Sequence, residues 1–190
     1  IVSCGWEHMN TTTEDDSILN RLELNDGCEF FFSLGSKYKH KNFRWILESA
    51  RYNPKYKFVI TGTGAFSNNE NELKMVVPKN VIFTGYITNE EIKSLMIHCK
   101  ALIQPSLYEG FGLPPLEALS VGASIVVSNK SCLPEIYKGV AHYIDPYNYN
   151  VDLDKLMDES VDNPKIVLDE YTWERAAAQL LNVLYKEGNR

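Results

Sequence analysis

Short continuous apolar runs, the first three stopping at glycine, alternating with stretches of helical spacing, limit this chain more than any other feature. Residues 28–34 are rich in aromatics and stop at Gly35; 57–61 stop at Gly62-Thr63-Gly64; 81–84 stop at Gly85; 101–104, 123–127 and 141–144 are equally short and apolar but stop at Pro105, Ser128 and Asp145. Apolar runs this short, without polar alternation, suit strands buried on both faces. Between them, residues 42–52 carry Phe43, Ile46, Leu47 and Ala50 at helical spacing, and Asn53-Pro54 ends that segment. Thr88 and Glu91 form a capping-box pattern for a helix running to His98. Helices are further expected over 16–24, 71–76, 114–120 with Gly122 as its stop, 133–138, 151–159 and 171–187. The alternation predicts an α/β fold: a doubly wound parallel sheet with helices on both faces. Ligands of such sheets bind beyond the carboxyl ends of the strands, so the turns at Gly35, Gly62, Gly85 and Gly110 are expected on one edge.

The chemistry concentrates in the turn after the fourth run, Glu109-Gly-Phe-Gly-Leu-Pro-Pro-Leu-Glu117. Gly110 and Gly112 allow close approach of backbone to a ligand. Pro114 and Pro115 suit a first helical turn, where a missing N–H costs nothing. A strand, a glycine loop and a helix start form an anion site, because unpaired amides and the positive dipole end converge there. Carboxylates beside it suit hydroxyl groups, which donate to them. Phosphate plus polyol describes a nucleotide sugar. Taken singly, each acid has an ordinary explanation: Glu117 falls in the expected first helical turn and opposes the dipole, and Glu109 is a solvated loop residue. Taken together with two glycines and two prolines, they favour the functional reading.

Composition excludes several classes. The 190 residues carry a net charge of −6, against a nucleic-acid-binding domain, although Lys37, Lys39 and Lys41 form a local basic stretch. No apolar run reaches the roughly 18 residues that span a bilayer, and no signal peptide is read. Cys4, Cys28, Cys99 and Cys132, and likewise His8, His40, His98 and His142, are scattered, so neither a disulfide framework nor a metal cluster is expected. The opening Ile1-Val2-Ser3-Cys4 reads as a strand end, and a piece of a longer protein is expected.

In the segments FSLGSKYKHKN, FVITGTG, VIFTGYITNEEI, LIQPSLYEGFGLPPLEAL and ASIVVSN…LPEI the chain resembles the C-terminal, nucleotide-binding half of glycosyltransferases with two Rossmann-like domains, the GT-B fold. It is most similar to the retaining family four, the glycosyl transferases group 1, whose paired glutamates have seven residues between them as Glu109 and Glu117 do. The resemblance runs from about Phe30 to the last helix. It implies a domain plan of 1–27 as interdomain tail, 28–163 as nucleotide-sugar domain and 164–190 as C-terminal helix. It implies Gly35 beneath the donor diphosphate and Lys41 as its cation; Ser36 stands where the family usually has Arg, which puts half of that clamp in doubt. Glu117 matches the carboxylate on the ribose, and Glu109 the one facing the donor sugar and reaction centre. Gly110, Phe111, Gly112 and Leu113 would contact sugar and phosphate, and Tyr86 and Ile87 the base. For Tyr86, a half-buried surface aromatic is an equal reading. Trp173 matches a tryptophan of core or domain packing.

The implied reaction is transfer of a sugar with retention from a nucleotide donor, a UDP-linked hexose or N-acetylhexosamine ahead of a GDP-sugar. The implied acceptor is a glycan or polyprenyl-diphosphate-linked chain, held by the N-terminal domain at the inner face of a bacterial membrane. No metal and no other cofactor is implied, and the chain alone is expected not to turn over. The alternative is a non-catalytic nucleotide or sugar-phosphate binding module, which Ser36 supports. A nicotinamide enzyme is disfavoured because spaced dinucleotide-binding glycines are absent after the first strand.

Overall fold

A computed structural model describes residues 3–25, 27–35, 38–62 and 76–188. Ser36, Lys37, Gly64 and the helix expected near 71–76 lie, wholly or nearly so, outside the described residues.

The elements run in the order α1 (His8–Thr11), α2 (Ser17–Arg21), β1 (Phe30–Leu34), a 3-10 turn (Lys39–Lys41), α3 (Phe43–Tyr52), β2 (Lys57–Thr61) and β3 (Val81–Gly85). Then follow α4 (Asn89–His98), β4 (Ala101–Gln104), α5 (Leu113–Ser120), β5 (Ser124–Ser128), α6 (Leu133–Tyr137), a second 3-10 turn (Lys138–Val140), β6 (His142–Ile144), α7 (Leu153–Met157), α8 (Lys165–Glu170) and α9 (Trp173–Gly188). β2 and β4 have the bounds expected of them. The elements not anticipated, α1, the two 3-10 turns and α8, are short and carry too few residues for a periodic signal.

The six strands form one parallel sheet in the order β3-β2-β1-β4-β5-β6. Alternate residues of each strand serve opposite cores, which is why the runs are continuously apolar. Phe30 and Phe32 of β1, Leu102 of β4 and Ile125 and Val127 of β5 pack with Leu95 and Met96 of α4, Leu116 and Leu119 of α5 and Ile136 and Tyr137 of α6. Phe31, Ile103 and Val126 face the other way, onto Trp45, Ile46, Leu47 and Ala50 of α3 and Leu153 and Leu156 of α7.

Met9, Ile18, Leu19 and Leu24, within the stretch expected as an interdomain tail, are buried in the first of these cores. Arg21 of α2 meets Glu91 of α4 at 2.6 Å. Glu91 also completes the expected capping box: Thr88 accepts from the Glu91 amide, and the Glu91 carboxylate accepts from the Thr88 amide at 2.9 Å. Among the described residues no helix is long and apolar enough to cross a membrane. The chain direction of the windings reverses between β1 and β4, which opens a crevice at their carboxyl ends. The loops after these two strands carry Gly35, Lys41 and the Glu109 to Gly112 stretch.

Candidate active site

From β1 the chain passes Gly35, whose amide donates to Thr61 at 3.1 Å, and then the 3-10 turn that ends in Lys41. Asn42 follows in the left-handed region (φ 54, ψ 44), a conformation asparagine tolerates better than most residues. Its side-chain amide donates to the carbonyls of Pro105 (3.0 Å) and Pro146 (2.9 Å), and the Leu107 amide donates to His40 O at 2.7 Å. The lysine-rich turn is thereby tied to the loops after β4 and β6. One consequence is that Lys41 Nζ reaches Glu109 Oε1 at 2.8 Å. Gln104 Nε2, at the end of β4, donates to the same oxygen, also at 2.8 Å. The Lys41 and Glu109 side chains are only 21% and 10% exposed, so the pair is largely shielded from water.

The backbone of Glu109 is clamped from the next loop. The Ser131 hydroxyl accepts from the Glu109 amide (3.1 Å) and donates to its carbonyl (2.9 Å), and Cys132 Sγ adds a contact at 3.3 Å. A methyl at Gly110 would meet open space. The Phe111 ring packs edge-on against Tyr171, centroids 5.2 Å apart. Gly112 has φ +85, and a Cβ there would lie 2.6 Å from Leu133 Cδ2. Its carbonyl accepts from the buried Tyr137 hydroxyl. Leu113 opens α5, with prolines next in line. Among the described residues the amides of Gly110, Phe111, Gly112 and Leu113 find no acceptor, so four consecutive backbone donors stay unpaired. Close by, Gln104 Oε1 and the Ser106 hydroxyl are buried with no partner among the described residues.

Glu117 departs from expectation. Because α5 begins at Leu113, no acid stands in its first turn, and the dipole does not account for this residue. Its Oε1 lies 2.8 Å from His8 Nε2, and His8 Nδ1 accepts from Trp173 Nε1 at 3.2 Å. Trp173 is thus neither a core residue nor idle: it is 43% exposed and bonded to the histidine that meets Glu117.

Tyr86 follows Gly85 (φ +71) and is 87% exposed, so the half-buried reading of its ring does not hold. The Ile87 side chain is in the core, which leaves only its backbone for a ligand. Ser128, at the end of β5, is buried and accepts from the Lys130 amide within its own turn. His8, Gln104, Ser131 and Tyr137 were not singled out from the sequence. Gln104 had a signal, as the polar end of an apolar strand; the others sit far from the Glu109–Glu117 segment in the chain. Among the described residues no group of three or more His, Cys, Asp or Glu side chains is placed to hold a metal ion.

The sheet, its order and this edge are those of the Rossmann-like half of a GT-B glycosyltransferase. Sucrose-phosphate synthase from Thermosynechococcus elongatus superposes with a TM-score of 0.73 at 17% identity, covering 97% of this chain and 51% of that one. The sequence pattern of the family described as Glycosyl transferases group 1 matches residues 14–187, and the chain belongs to that family. It is similar to the serotype-specific mannosyltransferase WbdA of Escherichia coli (38% identity over 81 residues, 43% of this chain and 10% of the relative). It is also similar to the O-antigen chain mannosyltransferase B of Escherichia coli (26% over 168 residues, 78% of this chain and 44% of the relative). The chain therefore spans less than half the length of either relative.

Proposed function

We propose that this chain is the donor-binding half of a retaining glycosyltransferase that moves a hexosyl group from a nucleoside diphosphate sugar to a hydroxyl of a growing, lipid-linked bacterial surface polysaccharide. That similar proteins are mannosyltransferases favours mannose within the wider hexose and N-acetylhexosamine class. The observation that carries the reading is the shielded Lys41–Glu109 pair at the crevice between β1 and β4, flanked by unpaired amides.

A shielded cation and fixed amides suit a leaving diphosphate, whose negative charge grows as the glycosidic bond to it breaks. On donor binding Lys41 exchanges the Glu109 carboxylate for diphosphate oxygens, and the amides of Gly110 to Leu113 add hydrogen bonds. Glu109, released from the lysine and still held by Gln104, faces the donor sugar and accepts from its hydroxyls. Glu117 takes the ribose hydroxyls, and Tyr86 with the Ile87 backbone takes the base. Gly35 lies beneath the diphosphate. No metal is required in this scheme. The acceptor, and turnover itself, depend on sequence that the longer relatives have in addition, at the cytoplasmic face of the membrane.

Calorimetric titration with UDP, GDP and ADP, with Glu117→Ala as control, tests the reading and identifies the base. One nucleotide binding in preference to the others, weakened by the substitution, is the expected result. Transfer of radiolabelled mannose from a nucleotide donor by the full-length protein, unaffected by EDTA, tests the rest. Absence of binding by all three nucleotides to the full-length protein overturns the proposal.

A further inference from the structure

We propose that His8 is a positioning residue of this site, one that sets the Glu117 carboxylate for the ribose diol while Trp173 sets His8; the inference rests on the assignment of Glu117 to the ribose. An indole N–H donates only, so at 3.2 Å from Trp173 Nε1 the His8 Nδ1 must accept. A neutral imidazole accepting at Nδ1 carries its proton on Nε2, and Nε2 stands 2.8 Å from Glu117 Oε1. The tryptophan thus selects the tautomer, and the histidine donates to one carboxylate oxygen. The other, Oε2, takes no hydrogen bond among the described residues, and the Glu117 side chain is 16% exposed. A carboxylate held by one oxygen has its plane fixed. It still offers Oε2, and a second lone pair of Oε1, to two adjacent hydroxyls.

The base from which His8 reaches Glu117 is rigid. A Cβ at Gly5 would lie 2.2 Å from Trp173 N, a backbone atom that cannot yield. The Glu7 carboxylate accepts from the Trp173 amide at 3.0 and 3.1 Å and from the Trp6 amide at 3.0 Å, and Trp6 Nε1 donates to Leu168 O at 3.0 Å. Residues 5–8 are therefore seated on the start of α9. His8 crosses from that seat to α5, 109 positions away in the chain. Glutamate loses several rotatable bonds when it binds a ligand, and fixing it beforehand lowers that cost at the moment of binding. The protein side of the ribose contact is thus assembled from three separate parts of the chain.

The test is nucleotide affinity in the full-length protein, measured with GDP, UDP and ADP and with their 2′,3′-dideoxy counterparts. His8→Ala is expected to weaken the tightest ribonucleotide by about threefold to tenfold, the range of one lost hydrogen bond, and to leave the dideoxy nucleotide unchanged. His8→Gln, which can donate from the position of Nε2 and accept from Trp173, is expected to restore most of the loss. Trp173→Phe keeps the ring and removes the donor, so a smaller loss with the same ribose dependence is expected. Equal losses for both nucleotides, or none for either, overturn the role of His8, and a thermal melt of each variant identifies an equal loss that comes from misfolding. Glu117→Ala separates the two levels of the argument. If it discriminates ribose from dideoxyribose and His8→Ala does not, only the inference fails; if neither does, the ribose assignment fails with it.

Discussion

Lys41 and Glu109 lie 68 residues apart in the chain and meet at 2.8 Å in the crevice between β1 and β4, with Gln104 donating to the same carboxylate oxygen. Neither side chain could be placed against the other from its own neighbourhood. Lys41 comes from a 3-10 turn after one strand, Glu109 from a glycine loop after another, and Asn42 joins the two loops.

The pair is expected to serve transfer more than stability. Lys41→Ala and Glu109→Gln in the full-length protein should each lower kcat by about 10²-fold or more, the scale for removing a group aimed at developing charge. Each single variant also leaves one shielded charge without its partner, so a loss of about 1–3 kcal/mol and a fall of several degrees in melting temperature are expected beside the loss of transfer, partly recovered in the double variant. A large drop in melting temperature with transfer preserved would assign the pair a structural role instead.

Gly112→Ala is expected to damage the loop itself. The residue sits at φ +85, and the new methyl would come within 2.6 Å of Leu133 Cδ2. Left-handed strain and overpacking together should cost about 2–4 kcal/mol, visible as a fall in the urea midpoint. Gly110→Ala, whose methyl meets open space, should be nearly neutral for stability while obstructing a ligand that approaches there.

Acid sensitivity should trace in part to Glu91. The Arg21 guanidinium, and then the Thr88 amide, hold its carboxyl below the ordinary glutamate range, against the opposing effect of burial. The unfolded chain therefore takes up this proton more readily than the folded one. The stabilisation is present above the ordinary carboxylate range and is lost as pH falls through the depressed folded value. Arg21→Gln should lower stability at pH 7, and the gap to the parent should close as pH falls toward 3; a pH series of urea titrations measures it.

Cys99 should be inert in the folded protein. Burial pushes its thiol up to about 12, and its S–H donates to Met96 O. Since the thiolate is the reactive form, iodoacetamide at pH 8 should label half-buried Cys4 and Cys28 well before Cys99. Peptide mapping of native and urea-treated samples checks the order; rapid native labelling of Cys99 would contradict the packing of α4 against β1.

Much of this fold is written locally. Residues 57–61 and 101–104 are strands with the expected bounds, and the Thr88–Glu91 box starts α4, because an apolar run or a cap signals within a few residues. The candidate site is local in its central stretch: Gly110, Gly112, Leu113 and the two glutamates follow one another in a single loop and helix. The start of α5 was misjudged by one residue, Leu113 instead of Pro114, which moves Glu117 out of the first turn; helix ends carry weak signals. His8 could not be found at all. Its partner Glu117 is 109 residues away, and a histidine beside a tryptophan in an N-terminal stretch has no pattern to mark it.

The amino-acid sequence by itself determined the class of fold, the order of its elements and the family, since apolar periodicity, glycine turns and motif spacing act over short distances. Tertiary structure alone decided which charges meet. The strand order places β1 beside β4 and so joins Lys41 to Glu109, and the docking of residues 5–8 onto α9 brings His8 to Glu117. The physical reason is that a carboxylate or an imidazole selects its partner by distance and direction within an ångström, and those are set only once both cores have packed.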